Sequence, residues 1–89
     1  MLEAVYGNKF KKEYKLALRR EIKAKEIDDI LVALINGEKL AERHRDHALT
    51  GNYIGFRECH IKNDYLLVYY IEGNEIFFTR IGTHSDLFG

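Results

Sequence analysis

The 89-residue chain has no net charge, a single cysteine and no long apolar run. Each scarcity excludes something. With Cys59 alone, neither an internal disulfide nor a cysteine-rich zinc site can form, and a reducing compartment is the simplest setting. The opening Met1-Leu2-Glu3-Ala4-Val5-Tyr6 lacks a basic region followed by an apolar one. No segment approaches the roughly 20 apolar residues that a membrane-spanning helix needs. The expectation is a soluble, cytoplasmic protein with no membrane partner. Repeats, linkers and low-complexity tracts are also missing, so residues 1–89 read as one domain.

A chain this short buries only about 60–65% of the surface that its unfolded state exposes. Little material is left to enclose a deep pocket, and a shallow groove suits a polymer substrate better than a small molecule. The hydrophobic fraction of 46% and the aromatic fraction of 12% are those of a globular protein rather than a disordered one.

Leu2 to Tyr6 is a short apolar run that predicts an edge strand. Asn8 is a candidate N-cap for a first helix, in which Phe10, Tyr14, Ala17, Leu18 and Ile22 recur at helical spacing. Ile27, Ile30, Leu31, Leu34 and Ile35 mark a second helix, stopped by Asn36-Gly37. The short join predicts an antiparallel helical hairpin. Glu38 to Asn52 reads as a connecting loop with at most a turn of helix. Tyr53–Lys62, Asp64–Ile71 and Glu75–Ile81 read as strands, the last two joined by a hairpin at Gly73-Asn74. In the middle strand Leu66, Val68 and Tyr70 face one way, and Leu67, Tyr69 and Ile71 the other. The expected fold is α+β: a two-helix hairpin packed on one face of a small, mainly antiparallel sheet, with the other face partly open.

Charge is unevenly spread. Lys9, Lys11, Lys12, Lys15, Arg19, Arg20, Lys23 and Lys25 are opposed only by Glu13 and Glu21 within the first helical region. Such a segment attracts phosphates by releasing their counterions, or is simply a solvated helix face. Combination with a set of histidines favours RNA contact.

Those histidines fall at the edges of the expected strands. RNA carries its own nucleophile, the 2′-hydroxyl. Cleavage needs a base for that proton, an acid for the departing 5′-oxygen and positive charge on the phosphate. The candidate set is His47, His60, Asp64, Arg80 and His84. His60 and Asp64 flank a tight Lys62-Asn63 turn and must lie close together. Strict alternation puts Arg80 on the same strand face as Phe78 and Ile76. The chemistry requires no metal, and no HExxH or CxxC spacing supports one, so no cofactor is expected.

These residues lie in motifs: Asp46-His47-Ala48-Leu49-Thr50-Gly51, Arg57-Glu58-Cys59-His60, Asp64-Tyr65, and Thr83-His84 with Leu87-Phe88-Gly89. In them the chain resembles the YafQ branch of the RelE/ParE toxin superfamily over nearly its whole length, most densely from Ala41 to Gly89. The resemblance implies a RelE-like α+β fold and an endoribonuclease that cuts messenger RNA, with the ribosome as a further partner. A cognate antitoxin is implied too, and operator DNA only in complex with it. His47, His60, Asp64 and His84 match the family's catalytic or substrate-binding positions. Asp64, held by His60 or His47, would be the base and His84 the acid. Arg80 would hold the phosphate. Phe88 and Tyr65 would stack on or brace bases, and Lys9, Lys12 and Arg19 would contact the backbone. The family usually carries Trp where this chain has Tyr65, so the aromatic plane differs in area and hydrogen bonding.

The alternative is a non-catalytic, ParE-like toxin or binding module acting on DNA gyrase or another protein. Such relatives generally lack this His-Asp-His set. Other residues have plainer readings. His44 reads as a surface loop residue. Arg80 is able to pair with Glu58 or Glu75 across the sheet. Tyr69, Tyr70, Phe77 and Phe78 read as core, and Cys59 as buried packing.

Overall fold

The helical stripes form as the spacing predicts, except that Leu18 is exposed and Ile22 lies past the end of the first helix. In the computed structural model, which describes residues 1–89, α1 runs from Asn8 to Arg19 and α2 from Ala24 to Ile35. Phe10 and Ala17 of α1 and Ile27, Ile30, Leu31 and Leu34 of α2 are buried. The Tyr14 hydroxyl donates to Asp28 Oδ1 at 2.8 Å and ties the hairpin together. A further detail differs from expectation. Gly7 holds the N-cap position of α1, with no side-chain cap, and Asn8 is already helical.

Five strands form one sheet in the order β1-β5-β4-β3-β2. They are β1 (Glu3–Tyr6), β2 (His47–Ala48), β3 (Arg57–Lys62), β4 (Tyr65–Glu72) and β5 (Glu75–Thr83). β1 is an edge strand and pairs parallel to β5, while every other pairing is antiparallel. The helices cover one face. There Leu67, Tyr69, Ile76, Phe78, Cys59 and Ile81 join the helical stripes in a single core. Full burial of a side chain such as Phe78 contributes about 1.5–3 kcal/mol, and this layer supplies most of the fold's apolar burial.

The opposite face carries a third helix that the periodicity did not foretell, α3 (His84–Phe88). Leu87 seats it on Leu66 and Val68, with Leu49, Phe56 and Phe88 packed around them. The expected long loop also holds more structure than anticipated: 3-10 turns at Glu42–His44 and Gly51–Tyr53 flank the two-residue β2. β3 is correspondingly shorter than its predicted span. No helix is long and apolar enough to cross a membrane.

The decisive irregularity is a β-bulge in β5. Tyr69 pairs with Phe78, but Val68 pairs with Arg80, so Thr79 is the extra residue. Its hydroxyl donates to the Val68 carbonyl at 2.9 Å. The bulge reverses the alternation. Arg80 therefore lies on the open face with Val68, opposite Phe78 and Ile76, which corrects the reading that grouped the three together.

Candidate active site

Two register relationships organise the open face. The first is a row across four strands: His47 pairs with Glu58, Glu58 with Val68, and Val68 with Arg80. The second is a cluster at one end of the sheet. His60 pairs with Leu66, and Tyr65 pairs with Thr83. Asp64 and His84 directly flank that last pair, and Asp64 is two residues from Leu66. The register thus brings the backbones of His60, Asp64 and His84 to one end of the sheet.

His44, His47 and His60 are each held through Nδ1. His60 Nδ1–H donates to the Asn63 carbonyl at 3.2 Å, across a turn in which Asn63 takes the left-handed conformation (φ 46). Nε2 is then the nitrogen that carries the lone pair whenever the ring is neutral. His47 Nδ1–H donates to the Arg45 carbonyl, and its Nε2 lies 3.3 Å from Glu58 Oε1. With one nitrogen already a donor, His47 pairs with Glu58 as an ion only when it carries both protons. His84 opens α3 and packs its ring on Phe88, with centroids 5.1 Å apart. Phe88 in turn meets the exposed Tyr53 edge-on at 5.1 Å.

The loop carrying His47 is anchored on both sides. His44 Nδ1–H donates to the His60 carbonyl at 2.6 Å. Asp46 accepts from the Tyr69 hydroxyl at 2.7 Å and lies 3.4 Å from Arg57 Nε. Burial, with Asp46 as a further cause, pushes the Tyr69 hydroxyl pKa well above its ordinary value, so it remains a donor. His44, in the connecting loop as its position implies, is half-buried and braces β3.

Arg80 does not pair with Glu58 or Glu75. Glu13 of α1 grips it from the sheet edge, with Nε 2.9 Å from Oε1 and Nη2 2.8 Å from Oε2. Nearby, Arg20 Nη1 donates to Asp86 Oδ2 at 2.6 Å. The same Asp86 carboxylate accepts the Thr83 N–H at 3.0 Å, while Thr83 Oγ1 accepts the Asp86 N–H at 3.1 Å. This reciprocal cap orients the turn bearing His84. The Thr83-x-x-Asp86 spacing was the available sequence signal for it.

Tyr65 departs from its expected role as a stacking residue. Its ring lies in the helix-side core, and its buried hydroxyl has no hydrogen-bond partner. Alternation requires this: Leu66 faces α3, so Tyr65 must face the helices. On the exposed flank of α1, Lys9 lies one turn before Glu13 on the stripe that reaches β5, while Lys12 and Arg19 point farther outward. Cys59 is fully buried, and burial pushes its thiol pKa far up.

A cleft of 680 Å³ opens between α2, the Glu42–His44 turn and the end of β3. It shares only His60 with the candidate set. No three His, Cys, Asp or Glu side chains converge closely enough to hold a metal ion.

Residues 2–89 match the family described as the bacterial toxin of type II toxin–antitoxin systems, YafQ. The mRNA interferase toxin YafQ of Escherichia coli strain K12 is 33% identical over 85 residues, covering 94% of this chain and 92% of that protein. The crystal structure of the E. coli DinJ–YafQ complex contains a chain with a TM-score of 0.91 and 31% identity, covering 100% of both chains. A crystal structure of a metal-bound toxin from Helicobacter pylori gives a TM-score of 0.92 and 38% identity, covering 99% of this chain and 100% of that one.

Proposed function

This chain belongs to the YafQ family of type II toxins, and on that premise we propose that it is an endoribonuclease that cuts messenger RNA without a metal ion, in the ribosomal A site. The observation that supports the reading is the strand register, which brings the backbones of His60, Asp64 and His84 to one end of the sheet.

In this mechanism Asp64, with the free Nε2 of His60 at the same end of the sheet, takes the 2′-hydroxyl proton. The 2′-oxygen attacks the adjacent phosphorus. His84 protonates the departing 5′-oxygen, leaving a 2′,3′-cyclic phosphate and a 5′-hydroxyl. Arg80 and a doubly protonated His47 supply positive charge to the phosphate. Phe88 stacks on a base, with Tyr53 rather than Tyr65 as its aromatic neighbour. Lys9, Lys12 and Arg19 hold flanking phosphates. The ribosome orders the RNA, which raises the rate by orientation alone.

A cognate antitoxin covers the toxin and joins it on operator DNA; the E. coli relative was crystallised as a DinJ–YafQ complex. Action on DNA gyrase receives no support from these matches.

The test is end-labelled RNA incubated with the protein, with and without ribosomes and chelator. The expected product carries a 2′,3′-cyclic phosphate and forms equally with chelator. His84→Ala and His47→Ala are expected to abolish cleavage while circular dichroism and antitoxin binding persist. Intact RNA in every arm, or normal cutting by both variants, overturns the proposal.

A further inference from the structure

We propose that Glu13, on α1 and remote in sequence from every residue of the candidate set, is a positioning residue that aims Arg80 at the scissile phosphate. This rests on the role given to Arg80 above.

The need for such a residue follows from the sheet. β1 pairs with β5 only from Glu3↔Glu75 to Tyr6↔Phe78, and the chain then leaves the sheet to begin α1. Beyond Phe78 the outer edge of β5 has no strand beside it. The bulge at Thr79 falls at this point and turns Arg80 onto the open face. A long side chain at an unpaired, bulged edge has many rotamers, and ordering it costs conformational entropy.

Glu13 supplies what the missing strand does not. Its Oε1 accepts the Ile81 N–H at 3.2 Å, in the place of a ladder partner. The same carboxylate takes Arg80 side-on through Nε and Nη2, at 2.8–3.1 Å over three contacts. Both side chains are mostly buried, 19% exposed for Glu13 and 30% for Arg80, so solvent screens the pair only partly. The Asp86 carbonyl of α3 also lies 3.5 Å from Nη2.

The geometry of a guanidinium makes this more than a salt bridge. Its N–H groups form a rigid planar fork. Glu13 occupies the Nε/Nη2 edge, which leaves both Nη1 donors unpaired and fixes the plane in which they point. A phosphate can then be gripped without reorganising the side chain, the condition under which electrostatic stabilisation is most effective.

The experiment is a double-mutant cycle with Glu13→Gln, Arg80→Ala and the pair combined, assayed on RNA with ribosomes present. Glu13→Gln is expected to lower kcat about tenfold or more with KM changed less than about threefold. It is also expected to add no further loss in the Arg80→Ala background. A separate readout is the Arg80 Nε–H resonance, which should be slow to exchange in the parent and fast in Glu13→Gln, where circular dichroism checks folding. Unchanged or faster cleavage by Glu13→Gln, or a full additional loss in the double variant, overturns the proposal. If Arg80→Ala cuts normally while the parent is active, the role of Arg80 falls and this inference with it. A parent that cuts no RNA in any condition removes the functional reading itself.

Discussion

Glu58 and His47 face each other across the β2–β3 pairing, with His47 Nε2 3.3 Å from Glu58 Oε1. Glu58 is 6% exposed, and it is the only charged residue in the buried set. A buried carboxylate left without a partner is costly, so this contact binds the position of His47 to that of β3. Glu58→Gln keeps the shape and removes the charge. Charge-assisted hydrogen bonds contribute about 1.5–3 kcal/mol, so cleavage is expected to fall about tenfold or more. Single-turnover rates on ribosome-bound message, with circular dichroism as the folding control, check this; an undiminished rate would detach His47 from the mechanism.

Gly82 is needed for the approach of α3. A Cβ there would sit 3.0 Å from both Cβ and Oδ2 of Asp86 and 3.3 Å from Leu87 Cδ2. Gly82→Ala is expected to push α3 off the sheet at a cost of about 1–3 kcal/mol. Urea unfolding measures the cost. Because His84 and Phe88 ride on α3, cleavage should fall more than stability does, and retention of full activity would contradict the proposed site.

Leu87 is the anchor of the same helix, buried against Leu66 and Val68. Its truncation to Ala removes most of that contact and is expected to cost about 2–4 kcal/mol. Amide exchange resolved by residue should show residues 84–89 losing protection while α1 and α2 keep theirs.

Asp86 gives a pH dependence with a definite sign. Hydrogen bonding from Arg20, and then from Thr83, holds its carboxyl below the ordinary 3.8. The folded pKa is depressed, so its contribution to stability is complete above the unfolded value and is lost as pH falls through the folded one. Melting temperature should therefore decline as pH drops below about 4. Asp86→Asn should start lower and decline less over that window. Parallel curves for the two proteins would refute the assignment.

Cys59 should resist alkylation in the folded protein. It is fully buried, and burial raises its thiol pKa far above the usual range, while the thiolate is the reactive form. Iodoacetamide labelling followed by mass spectrometry should be slow in buffer and rapid in denaturant. Prompt labelling of native protein would show that the β3 core opens readily.

Much of the architecture was legible in advance. Phe10, Ala17, Ile27, Ile30, Leu31 and Leu34 mark their helices because a helix repeats its own geometry every few residues. Leu66 to Ile71 assigned its own two faces for the same reason, with a period of two. α3 was missed because five residues carry too little periodicity, although Thr83 and Asp86 stood at capping-box spacing. The N-cap falls one position before Asn8 because Gly7 takes the extended conformation that an N-cap needs.

The sequence by itself determined the inventory: the buried stripes, the strand alternation, and the His47, His60, Asp64, Arg80 and His84 set at strand edges. These follow from local spacing and residue chemistry. Only the tertiary structure decided which face Arg80 takes, because the bulge at Thr79 breaks the two-residue period that local reasoning assumes. It also decided that Glu13 and not Glu58 holds Arg80, a contact across 67 residues of chain. Partners so far apart in sequence meet only through the packing of α1 against the β5 edge, and no local pattern encodes that packing.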